Sequence, residues 1–151
     1  MIKIEYPPYK PKINTVGGKE YIFDETRKQW ILLTPEEWVR QNFLQYLVQV
    51  KGYPASLIAV EKEIMLSDLV KRFDIVVYDP EYKPWMIIEC KEMNERLNEK
   101  VLNQALRYNI SLRVAYIVIT NGSYCYAFTG TGKQFAELDC LPGYPAMGRK
   151  Q

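Results

Sequence analysis

Two runs decide how this chain is read: Arg72-Phe73-Asp74-Ile75-Val76-Val77-Tyr78 and Trp85-Met86-Ile87-Ile88-Glu89-Cys90-Lys91. Between them stands the turn Asp79-Pro80-Glu81-Tyr82-Lys83-Pro84. Both runs are rich in β-branched and aromatic residues, so a hairpin of two strands is expected. Strand side chains alternate between faces. Trp85, Ile87, Glu89 and Lys91 therefore share one face, and Met86, Ile88 and Cys90 the other. Asp74 shares a face with Arg72 and Val76. A charge within an apolar strand is costly unless it is paired or bound to an ion. Asp74 and Glu89 are two such carboxylates, one on each arm. Converging on one side, they would make a hard-oxygen site suited to Mg²⁺ or Mn²⁺. Such an ion polarises a phosphodiester and activates water. Lys91 would hold the attacking water or neutralise charge growing on the phosphate.

Upstream, Thr34-Pro35-Glu36-Glu37 opens a helix, with a threonine cap, a proline at the first helical position and a glutamate three residues after the cap. Val39, Phe43, Tyr46, Leu47 and Val50 continue it as a buried stripe, and Gly52 and Pro54 end it. Residues 57–64 read as a further strand. Residues 21–23 and 30–33 read as a short hairpin, and residues 1–20, with Pro7, Pro8, Pro11, Gly17 and Gly18, as an extended arm. Downstream, a second helix is expected over 94–112, its inner face marked by Leu97, Val101, Ala105, Tyr108 and Leu112. Strands over 114–120 and 123–128 follow, joined at Asn121-Gly122. From Gly130 the reading is loop or tail. The fold class is thus mixed α/β: hairpin, helix, three strands, helix, two strands, in one domain over 21–130 with a tail over 131–151.

Composition narrows the chemistry. The 151 residues are 48% apolar and 25% charged, the balance of a soluble globular domain. Twenty basic and eighteen acidic side chains leave +2, which neither demands nor excludes nucleic acid. There are no histidines, which removes the usual general base and zinc ligand. The three cysteines, Cys90, Cys125 and Cys140, have no CxxC spacing and suit a reducing compartment. No apolar run is long enough to span a bilayer, so a cytoplasmic protein without membrane contact is expected.

Asp74, followed fifteen residues later by Glu89-Cys90-Lys91, resembles the PD-(D/E)xK nuclease signature, with phenylalanine in place of proline before the aspartate. The order helix, three strands, helix, strand resembles its αβββαβ restriction-endonuclease-like core. The segments 34–41, 72–78 and 87–91, then Gln104 with Tyr108, then Thr120-Asn121-Gly122, are together similar to the N-terminal nuclease domain of type I restriction enzyme R subunits. The likeness implies a Mg²⁺-dependent DNA endonuclease, with Asp74 and Glu89 as metal ligands, Lys91 as the catalytic lysine and Glu37 completing the acidic cluster. Gln104 and Tyr108 match a Q-x-x-x-Y motif beside such sites, and residues four apart share a helix face. Arg72 is a further candidate for phosphate contact.

Other readings stand beside these. Glu37 is equally explained as half of a capping box with Thr34. Tyr108 is also a core residue of its helix, Arg72 a partner for a nearby acid, and Glu61 and Glu63 edge charges. Type I R subunits continue into a helicase motor, and none stands in these residues. Gly130-Thr131-Gly132-Lys133-Gln134 fails as a phosphate loop, because Ala127 and Gln134 occupy positions that need Gly and Ser or Thr. Translocation would therefore require separate helicase or specificity subunits, and double-strand cutting a homodimer or similar partner. The alternatives are a non-catalytic DNA- or protein-binding module of the same fold, or a nuclease acting on branched DNA or RNA.

Overall fold

The computed structural model describes residues 1–66, 68–107, 112–131 and 134–145. The strands are β1 (Ile2–Lys3), β2 (Ile13–Val16), β3 (Lys19–Asp24) and β4 (Gln29–Leu32), followed by helix α1 (Pro35–Gln45). A π-helical turn (Tyr46–Val50) and a 3₁₀ turn (Ala55–Leu57) lead into β5 (Ile58–Leu66), β6 (Leu69–Tyr78) and β7 (Pro84–Cys90). Helix α2 (Glu99–Arg107), β8 (Tyr116–Thr120), β9 (Tyr124–Thr131) and β10 (Gln134–Leu138) complete the order. The central succession is αβββαβ, in a mixed α/β fold.

The main sheet runs β1-β9-β8-β7-β6-β5, with β10 also on β9. Only β7 and β8 pair in parallel there; α2 lies between them in the chain and makes the crossover. Strands β2-β3-β4 form a separate antiparallel sheet. Three stretches differ from the sequence reading. The arm over 1–20 supplies β1 and β2, and the tail supplies β10, because backbone pairing with β9 and β3 needs no apolar signature. Helix α2 starts at Glu99, five residues later than expected, where Asn98 Oδ1 caps the Val101 N–H at 3.0 Å.

Each face of the sheet carries one helix. Val39, Phe43 and Leu44 of α1 pack with Ile75, Val77, Met86, Ile88 and Val118. Ala105 of α2 packs with Phe73, Val76, Ile87, Ile117 and Ile119. This two-sided cover explains why β6 and β7 are almost unbroken apolar runs. The Asp79 carboxylate shapes the β6–β7 turn by accepting the N–H groups of Glu81 and Lys83 at 2.8 and 3.0 Å.

The alternation expected in β6 fails at Asp74. Phe73 sits with the α2 cluster and Ile75 with the α1 cluster, although they are two residues apart. Across the ladder, Glu61 takes a left-handed φ of 54° and leaves the pairing, without a change of register, between Val60↔Ile75 and Lys62↔Phe73. Such a conformation costs a non-glycine residue about 1 kcal/mol or more. At the same level β6 leaves β7: their last pair is Ile75↔Ile88. Beyond it β6 continues with β5 alone, while β7 continues with β8 to Cys90↔Thr120. The sheet therefore forks between Asp74 and Glu89.

Helix α1 presents Glu36, Glu37 and Arg40 to this fork, and its start is fixed by Thr34 Oγ1 accepting the Glu37 N–H at 3.0 Å. Thr34→Ala is expected to cost about 1 kcal/mol of unfolding free energy, read as a lower urea midpoint at unchanged slope.

Candidate active site at the strand fork

Where the β6–β7 ladder ends, a side chain replaces the missing main-chain acceptor. Asp74 Oδ2 accepts the Cys90 N–H at 2.7 Å. Its other oxygen, Oδ1, accepts Arg40 Nη1 at 2.7 Å. The Asp74 carboxylate is thus fixed from two directions. Burial pushes its pKa up, against the lowering effects of the Cys90 N–H and Arg40.

Glu89 extends to the α2 side. With Lys71, Lys91, Glu95 and Gln104 it lines a cavity of about 120 Å³ floored by Val101, Ala105 and Ile119. Its Oε1 is buried and has no hydrogen-bond partner among the described residues. Lys71 Nζ stands 3.7 Å from that oxygen, an ion-pair distance too long for a hydrogen bond. Burial first, and the nearby Asp74 charge second, push Glu89 up to about 7, against the pull of Lys71 and Lys91. Lys91 lines the same cavity, and its charge lowers the pKa of Asp74, Glu36 and Glu89.

The fork therefore gathers Asp74, Glu89 and Lys91, with Gln104 at the cavity wall. It does not gather Glu37. That carboxylate is buried and saturated: Arg27 Nη2 donates to both oxygens at 3.0 Å, Arg40 donates at 2.9 and 3.1 Å, and Gln41 Nε2 donates at 3.0 Å. Burial raises its pKa, but hydrogen bonds from Arg40, Gln41 and Arg27 outweigh this and hold it below the usual range. The metal-ligand expectation for Glu37 is corrected accordingly, because every lone pair it could offer is already committed to a cation or amide. Arg72 also stands apart from the cavity, exposed and paired with Glu63 at 2.9 Å and Glu61 at 3.5 Å. Tyr108 lies outside the described residues.

Glu36 occupies the place expected for Glu37. Burial and the Asp74 charge raise its pKa. Arg40 and Glu61 were likewise not singled out as site residues, although Arg40 Nη1 bridges Asp74 and Glu61. A signal for Arg40 existed. Arg40 falls on the same stripe as Val39 and Phe43 and is buried, while Glu36, one turn earlier, stays exposed at the rim. The role of Lys71 follows from alternation, since it shares a face with Phe73 on the α2 side.

Arg40 ends a buried chain of ion pairs. Asp24 accepts Arg27, Arg27 donates to Glu37, Glu37 accepts Arg40, and Arg40 donates to Asp74 and Glu61. Asp24 ends β3, so the chain ties the small sheet to the fork. The loop after β7 is tied in turn by Asn121, whose Nδ2 donates to the Glu95 carbonyl at 3.1 Å. Cys90 is fully buried on the α1 side, and burial pushes its thiol far up, so it is not a nucleophile.

The donor set fits a hard divalent cation. Asp74 and Glu89 supply carboxylate oxygen, and one of those oxygens is an orphan inside the protein. Among the described residues no three His, Cys, Asp or Glu side chains form a ready-made cage. Mg²⁺ keeps several waters and needs only one or two protein carboxylates.

A family model described as "Type I restriction enzyme R protein N terminus (HSDR_N)" matches residues 35–142. Among proteins of curated function there is no match. A crystal structure titled "putative nuclease belonging to DUF820" from Anabaena variabilis ATCC 29413 aligns over 92% of this chain and 84% of its own, at 13% identity and a TM-score of 0.45. A likeness that loose carries no argument about function. No helix among the described residues is long and apolar enough to cross a membrane.

Two outcomes follow from these contacts. The pKa of Glu89 rises on folding from its ordinary 4.5 to about 7, so the folded state binds this proton more tightly. The resulting stability is fully present below pH 4.5 and is lost as pH climbs through about 7. In EDTA, Glu89→Gln should therefore gain on wild type between pH 4.5 and pH 8, by on the order of 3 kcal/mol in urea unfolding. Arg40→Met strips partners from Glu37, Glu61 and Asp74 together, and is expected to cost roughly 3–5 kcal/mol in the same assay at pH 7.

Proposed function

Since this chain belongs to the family of type I restriction enzyme R protein N termini, we propose that it is a Mg²⁺-dependent endonuclease that hydrolyses DNA phosphodiesters at the strand fork. The observation that carries the reading is the buried Glu89 Oε1, which has no hydrogen bond among the described residues and shares its cavity with Lys71 and Lys91. Leaving a buried carboxylate oxygen without a hydrogen bond is costly, and a bound cation would offset that cost.

Asp74 and Glu89 would hold the cation, with Glu36 close behind Asp74. When bound, the cation polarises the phosphoryl group and acidifies a coordinated water. The chain's own groups have distinct tasks. Arg40 and the Cys90 N–H fix the Asp74 carboxylate, so its orientation is set before any ligand arrives. The Lys91 ammonium lies where negative charge grows on the phosphate and donates a hydrogen bond to it. Lys71 supplies a second cation at the cavity, and the Gln104 amide offers a neutral donor to a non-bridging oxygen. With no histidine in the chain, water activation falls to the carboxylates and Lys91.

DNA as substrate, partner subunits bearing the helicase and specificity functions, and a cytoplasmic location complete the reading. The free thiols Cys90, Cys125 and Cys140 accord with a reducing compartment. A second reading, a non-catalytic DNA- or protein-binding module, is separated by the same assay. Supercoiled plasmid is incubated with the full chain in Mg²⁺ or EDTA. Nicking or linearisation in Mg²⁺ alone is expected, with a loss of about 100-fold or more in Lys91→Ala and Glu89→Ala. Cutting that persists in both variants would remove the fork from the mechanism. Duplex binding without cutting in the wild type would favour the module.

A further inference from the structure

Beyond the fork, β5 and β6 run on as a two-stranded ribbon. From Lys62↔Phe73 to Leu66↔Leu69 they pair only with each other, since β7 pairs with residues 75–78 alone. About five pairs at 3.4 Å per residue carry the ribbon roughly 15 Å past the sheet. An ordinary ribbon has one apolar face turned to a core. Here Met65 pairs across from Val70 on one face, while Leu69 alternates to the other. Met65 is 67% exposed, Leu69 72% and Val70 57%. Apolar groups thus stand in solvent on both faces of the tip, unexplained by packing against the described residues.

We propose that this ribbon is a DNA-engaging arm whose apolar tip wedges into a groove of the duplex held at the fork. The inference rests on the nuclease reading and names how the substrate is held. Three features select duplex DNA as the occupant. First, the arm is continuous with the site: Leu69 lies two residues before Lys71 on the same face, and Lys71 lines the cavity and faces Glu89. A polymer with a phosphate in that cavity can reach the tip along the ribbon. Second, a two-stranded ribbon fits the major groove, where apolar side chains contact thymine methyl groups. Third, the ribbon's basic residues lie toward its base, where phosphates would be: Lys62 is exposed, Lys71 pairs with Glu89, and Arg72 is held by Glu61 and Glu63. The tip turn carries Asp68 instead, which disfavours phosphate and can accept from a cytosine amino group.

The test uses the full chain and a 2-aminopurine-labelled duplex in Ca²⁺, a cation that permits binding without rapid turnover. Met65, Leu69 and Val70 are replaced together by serine, and Leu32→Ser, an exposed apolar residue of the small sheet, serves as control. The triple variant should bind the duplex about tenfold or more weakly and lose the 2-aminopurine fluorescence increase, while the control keeps both. Its urea midpoint and Mn²⁺ affinity should equal those of wild type, which separates a lost contact from a lost fold. Unchanged duplex affinity in the triple variant would overturn the arm and leave the nuclease reading intact. So would sedimentation showing that the substitutions only dissociate a dimer. A wild-type chain that binds no duplex would overturn both.

Discussion

The Asp74 carboxylate does the work of a main-chain group. It caps the Cys90 N–H just where β6 abandons β7, and so allows the sheet to split without leaving a buried donor unpaired. A continued ladder would press the two strands together and leave no room between them. Without any cap, the N–H would cost about 1–3 kcal/mol. The fork, its cavity and the separate course of β5 and β6 all depend on this one bond.

The charges around the fork are balanced in two different ways. On the α1 side, arginine forks meet carboxylates through bidentate or bridging hydrogen bonds, and the chain from Asp24 to Asp74 closes on itself with little unsatisfied. On the α2 side, Glu89 faces Lys71 at 3.7 Å, and one of its oxygens has no hydrogen bond among the described residues. Well-satisfied buried pairs make a rigid wall, whereas a poorly satisfied carboxylate attracts a ligand. The asymmetry places structure on one side of the sheet and chemistry on the other. It also explains why two adjacent glutamates of α1 differ. Glu37 belongs to the wall and Glu36 to the edge of the site, with pKa values shifted in opposite directions.

Much of this was legible in the residues. Apolar runs covered on both faces, the Thr34 cap and the Asn121-Gly122 turn follow from local physics, and they set the αβββαβ order. Asp74, Glu89 and Lys91 stood out because charges interrupt strands that otherwise carry none. The remainder depended on geometry that strict alternation cannot express. The left-handed residue Glu61 shifts the facing of Asp74, and nothing in the sequence marks a glutamate for positive φ. The choice between Glu36 and Glu37 turns on Arg27, which arrives from another sheet. β1 is defined by backbone pairing with a strand about 120 residues away, which two residues cannot announce, whereas β2 and β10 pair with their neighbours in the chain.

The account stands on Asp74 and Glu89 serving one divalent cation. Crystals soaked in Mn²⁺ and measured at its absorption edge test this directly. An anomalous peak within coordination distance of Asp74 and of Glu89 Oε1 is the expected result. A fully soaked crystal with no peak there would contradict it.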